Sequence, residues 1–172
     1  MTMNHPEHFS QADTCISVVR AEVDAAFVHL NRACSEDGRL SPKLLDQNQK
    51  LSYELAFCVA ELEASKVMLA YAQANAAEDA LCTPLALAFT AENLRLVWQR
   101  LLTHAMEAGL ETSRLLDLMS ANPLAAFLAE HGKVSGYEAI GAAMLERGNQ
   151  RLPSGLEQEK DLVQASFARF AR

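Results

Sequence analysis

Residues Ser41 to Ala76 read SPKLLDQNQKLSYELAFCVAELEASKVMLAYAQANA. In this stretch Leu44, Leu51, Leu55, Cys58, Leu62, Leu69, Ala72 and Ala76 stand at steps of three, four or seven. That is the spacing of one helical face and not the alternation of a strand. A second row, Tyr53, Phe57, Ala60, Val67 and Tyr71, predicts apolar surface on two sides, as suits a helix at the centre of a bundle. Ser41 followed by Pro42 supplies an N-cap and a proline at the first helical position, where its missing N–H costs nothing.

The same periodicity extends outward in both directions. Upstream, Ile16, Val19, Val23, Phe27, Leu30 and Cys34 predict a helix over Asp13 to Cys34, with Gly38 ending the segment. Downstream, Thr83-Pro84 repeats the cap-plus-proline signal, and Leu87, Ala91, Leu94, Trp98, Leu101, Ala105 and Ala108 form a third stripe before Gly109. Shorter helices follow over Glu111 to Ser120, from Asn122-Pro123 to Gly132, and over Ser135 to Arg147 with Gly148 as the stop. Ser154 with Glu157 three residues later is a capping box for a last helix, acidic at its start and basic at Arg169 and Arg172. No alternating Val/Ile/Thr run and no Asn-Gly turn predicts a sheet. The expectation is an all-α helical bundle of three long helices, several short ones and a C-terminal helix. Residues 1–12 read as a flexible N-terminus, 13–148 as the bundle, 149–153 as a linker and 154–172 as the terminal amphipathic helix.

Composition narrows the function classes. Half of the 172 residues are apolar, enough for one domain with a real core. The net charge of -7 is spread along the chain without a Lys/Arg cluster, which argues against nucleic acid or an anionic membrane as partner. No stretch reads as a targeting signal or membrane span, so a cytoplasmic location is expected. Cys15, Cys34, Cys58 and Cys82 are far apart, with no Cys-x-x-Cys pair and no histidine at metal-ligand spacing. They read as small core residues of a reducing compartment.

The search for chemistry finds no catalytic, cofactor-binding or metal-ligating set. The glycines stand singly, most of them as helix stops, and Gly141 reads as a point of close helix packing. There is no Glu-x-x-His pair for a di-iron bundle, and His104 with Glu107 reads as a surface hydrogen bond. Glu61 and Glu92 border apolar rows; the first is expected on an exposed edge with Glu54, the second snorkelling to solvent or paired with Arg95. Phe57, Tyr71, Phe89 and Trp98 are candidates for lining a pocket between the second and third helices, although aromatics at these positions also serve simply as core.

Two stretches carry a resemblance. Asp37-Gly38-Arg39-Leu40 leads through Leu44-Leu45-Asp46-Gln47-Asn48-Gln49 into the long helix, and Leu162-Val163-Gln164-Ala165-Ser166-Phe167-Ala168-Arg169-Phe170-Ala171 lies near the C-terminus. Together they resemble the helical N-terminal extension of acyl-CoA dehydrogenases of the methylsuccinyl-CoA dehydrogenase-like kind. In that family the flavin site and the catalytic carboxylate lie downstream of the extension, so no catalytic residue carries over to this chain. The family's glycine-rich, Met-Ser-Gln-like segment has no counterpart here, where Ala91 to Ala108 is plain amphipathic helix.

The resemblance implies a non-catalytic helical interaction module without a cofactor of its own. Its expected partners are a second copy, giving a homo-oligomer, or a flavin-dependent acyl-CoA dehydrogenase. The alternative is a bundle that binds a small ligand or acyl chain, with or without weak catalysis. Leu156, Val163, Phe167 and Phe170 share one face of the terminal helix and are the expected docking residues. The same face would serve equally to fold the helix back on its own bundle.

Overall fold

The computed structural model describes residues 5–155 and residue 160. The chain is an all-α helical bundle. Its long helices are α1 (His5–Ala33), α3 (Gln49–Asn75) and α4 (Cys82–Thr103). The shorter ones are α2 (Pro42–Gln47), α5 (Thr112–Ser120), α6 (Leu124–His131) and α7 (Val134–Arg147). Leu156, Val163, Phe167 and Phe170 lie outside the described residues.

The three long helices interlock because each carries a seam of alternating steps of three and four. On α1 the seam is Phe9, Ala12, Ile16, Val19, Val23, Ala26 and Leu30; on α3 it is Leu51, Leu55, Cys58, Leu62, Ser65, Leu69 and Ala72. The third runs through Leu87, Ala91, Leu94, Trp98 and Leu101 of α4 and continues to Ala105 and Ala108. This spacing lets side chains of one helix fill the grooves of its neighbour over the whole length. The tightest pairing is α3 with α4, and α1 lies against both.

Five features depart from the sequence reading. The long second helix is two helices, broken at Asn48, whose side-chain amide donates to the Leu44 carbonyl at 2.9 Å and competes with helix continuation. The central, many-sided helix is α4, with twelve buried residues, whereas α3 buries one stripe. The second row expected on α3 is largely solvent-facing: Tyr53 and Val67 are 64% and 70% exposed. Fourth, α1 begins at His5, eight residues before the expected Asp13, because Phe9 and Ala12 extend its apolar seam into the core.

The fifth departure is a small hairpin, Ser35–Glu36 (β1) paired antiparallel with Arg39–Leu40 (β2). Asp37 and Gly38 form its two-residue turn with φ of 51° and 75°. An Asp-Gly pair is a strong signal for this turn, since both central residues need the left-handed region that glycine and aspartate tolerate best. Gly38 therefore closes a hairpin and does not merely stop a helix.

Buried polar groups fix the register between helices. Asn93 of α4 donates to the Ser65 hydroxyl at 3.1 Å and to the Glu61 carbonyl at 3.2 Å, and Ser65 itself donates to that carbonyl. Arg100 bridges the Glu54 and Glu61 carboxylates, so Glu61 is a half-buried partner of α4 and not a free edge residue. Glu22, buried on α1, receives Arg114 of α5 at 2.7 Å. The stretch read as a linker is tied down: Tyr71 donates to the Pro153 carbonyl at 2.6 Å, and Leu152 packs on the core. Arg147 pairs with Asp79 and also donates to the carbonyls of Gln150 and Arg151.

Candidate functional site

The end of α6 is the most organised polar region outside these pairs. Arg95 of α4 donates to the Leu128 carbonyl at 3.1 Å and the Gly132 carbonyl at 2.7 Å, satisfying two C-terminal carbonyls of α6 with a cation. Glycine leaves room for this cap, because a Cβ on Gly132 would lie 2.6 Å from the Arg95 guanidinium and push it aside. Arg95 is thus engaged with α6 and not with Glu92, which is exposed. The cap holds Glu130 and His131 at the helix end, against the first turns of α1.

There His8 of α1 meets His131 edge to face, ring centroids 5.1 Å apart, and Phe127 packs on the other imidazole at 4.8 Å. One donor atom from each of His8, Glu130 and His131 lies within 4.8 Å of the others. Nδ1 of His8 and Nε2 of His131 are buried and have no hydrogen-bond partner among the described residues. Burial pushes the His131 pKa below the ordinary histidine value; Glu130 opposes this, while His8 and Lys133 add to it. His131 is therefore biased toward the neutral form, with a lone pair to offer.

Glu130 and His131 also border a cavity of about 330 Å³ between α4, α6 and α7. Its apolar walls come from Leu81, Pro84 and Ala88 on one side and Ala139, Ile140 and Ala143 on the other. Lys133 adds a cation to the polar side. The size and the mixture of apolar wall with a few polar groups suit a small ligand.

The aromatic residues singled out in the sequence do not converge on one cavity. Trp98 is in the core at 1% exposure, whereas Phe57 and Phe89 are 41% and 39% exposed. Fourteen residues at 1.5 Å each separate Phe57 from Tyr71 by roughly 21 Å along α3. Phe57 instead packs on Tyr53 at 4.8 Å and under the Arg100 guanidinium at 5.7 Å, and Tyr71 holds Pro153.

Other sequence candidates resolve locally. His104 Nδ1 lies 2.7 Å from the Glu107 carboxylate, with the imidazole buried and the carboxylate exposed. Gly141 is not a packing point among the described residues, since a Cβ there would meet none of them within 4 Å. All four cysteines are buried and free, and burial pushes Cys15 and Cys58 up to about 11, which keeps them as inert thiols at neutral pH.

The His8, Glu130 and His131 cluster escaped the sequence reading. His8 sat in a stretch read as a tail, and Glu130-His131 read as an ordinary helix end. Only the packing of α1 on α6 brings the two together across the length of the chain. No protein-family model matches this chain, and no curated protein matches it. No helix among the described residues is long and apolar enough to cross a membrane.

Proposed function

We propose that this chain is a non-catalytic helical interaction module, related to the N-terminal extension of acyl-CoA dehydrogenases, that associates with itself or with a flavin-dependent acyl-CoA dehydrogenase. The observation that carries the reading is α7, which contributes no buried residue to the bundle. Val134, Tyr137, Met144 and Leu145 are 71%, 36%, 41% and 84% exposed. At 100° per residue they fall with Gly141 inside an arc of about 100°. Ala139, Ile140 and Ala143 face the other way, toward the cleft with α4. An apolar face at this spacing, rimmed by polar side chains and with an open glycine at its centre, suits a second helix laid against it.

Leu145→Glu tests the reading, because the side chain is exposed and its replacement should leave the melting temperature unchanged. Sedimentation equilibrium of the chain alone measures self-association, and co-elution with the catalytic region of an acyl-CoA dehydrogenase measures the other mode. Loss of association with an unchanged melt is expected. A wild-type chain that stays monomeric and captures no dehydrogenase overturns the proposal, as does full association by the variant.

The cleft between α4, α6 and α7 favours a second reading, a bundle that binds a small apolar ligand such as a short acyl chain. Calorimetric titration with medium-chain carboxylates and their thioesters tests it, with Ala139→Trp expected to fill the cleft and abolish binding. Unchanged heats in the variant would exclude the cleft.

A further inference from the structure

We propose that His8, Glu130 and His131 form a binding site for a divalent transition-metal ion of the zinc class. Three observations converge on it. The donor set is two imidazoles and one carboxylate, which zinc and its neighbours bind with at least one position left for water or a ligand. Metal–ligand bonds of about 2.0–2.2 Å put tetrahedral donors roughly 3.3–3.5 Å apart, so a set already within 4.8 Å closes by small side-chain rotations. The third is the state of the imidazoles: His8 Nδ1 and His131 Nε2 are both buried without a hydrogen-bond partner among the described residues. A buried nitrogen left in that condition is costly, and ligation meets the need of a buried imidazole directly.

The scaffold is built to hold such a site. His8 is anchored by Phe9 and Ala12, both in the core, and Glu130 and His131 by the Arg95 cap on α6. Since Glu130 and His131 also border the cleft, the remaining coordination position is open to a ligand entering there. Lys133 lines the same cleft, and its positive charge favours an anionic group as the entering ligand.

The test uses the full chain, stripped with chelator and titrated with Co²⁺, whose visible absorption reports ligation, followed by displacement with Zn²⁺. The expected result is one Co²⁺ per chain, bleached by one Zn²⁺. His8→Ala, Glu130→Gln and His131→Ala should each weaken binding by about tenfold or more, while His104→Gln binds as the wild type does. No spectral change, or wild-type affinity in both His8→Ala and His131→Ala, overturns the site. Binding lost in His5→Ala but kept in His131→Ala also overturns it. Should a variant fail to fold, imidazole ¹⁵N spectra of the unmutated chain decide. Zn²⁺ should move His8 and His131 among the five histidines, and a shift of others, or of none, refutes the proposal.

Discussion

Leu62 shows what a single side chain carries in this bundle. It is fully buried at the middle of the α3 seam, opposite α4, where the core is closest packed. Replacement by alanine removes apolar contact and leaves a cavity that rigid neighbouring helices only partly close. The cost should be about 2–5 kcal/mol, read as a lower urea midpoint at unchanged slope. A loss below about 1 kcal/mol would show that the seam is not core. Polar residues were harder to read than this leucine. Arg95 and Glu92 sit three apart on one helix, so local spacing suggests a pair, yet the guanidinium serves the carbonyls of Leu128 and Gly132, more than thirty residues away. Local spacing identifies which residues face the core, because burial depends on periodicity. The partner of a long polar side chain depends on which elements meet, and that is settled only by packing.

At the scale of elements, the hairpin between α1 and α2 invites the sharpest test. Gly38 has φ of 75°, and a Cβ there would meet none of the described residues within 4 Å. Gly38→Ala should therefore cost about 1–2 kcal/mol through the left-handed backbone alone, with no steric term. Chemical denaturation measures it, and a neutral effect would mean that the turn relaxes into another form. The helices themselves were legible in the sequence because apolar steps of three and four persist over many turns in α1, α3 and α4. Their ends were less so. Thr83 was expected as a cap, but α4 starts at Cys82 and the Asp79 carboxylate accepts the Leu81 N–H at 3.0 Å, while the Thr83 hydroxyl is buried without a partner among the described residues. Several residues can cap one helix start, and tertiary packing selects among them. The His8, Glu130 and His131 cluster was not legible at all, since neither half has a spacing that marks a ligand set and the other half is brought by α1 folding onto α6.

At the scale of the whole molecule, two apolar surfaces are candidates for the proposed docking role: α7, and the terminal face of Leu156, Val163, Phe167 and Phe170. The buried core extends from Phe9 to Leu128, and the last described stretch is fastened by Tyr71 to Pro153 and by Leu152 on the core. Ending the chain after Gly155 preserves every one of these contacts. The shortened protein should keep a cooperative melt close to that of the full chain, measured by circular dichroism. If the terminal face is the docking element, sedimentation of the shortened chain shows self-association or dehydrogenase capture lost at that unchanged melting temperature. If association survives truncation and disappears in Leu145→Glu, the docking surface is α7 and the terminal face has no part in it. A melting temperature lowered by several degrees would instead place residues 156–172 in the stability of the bundle, the outcome expected if an amphipathic terminal helix folds back on its own core.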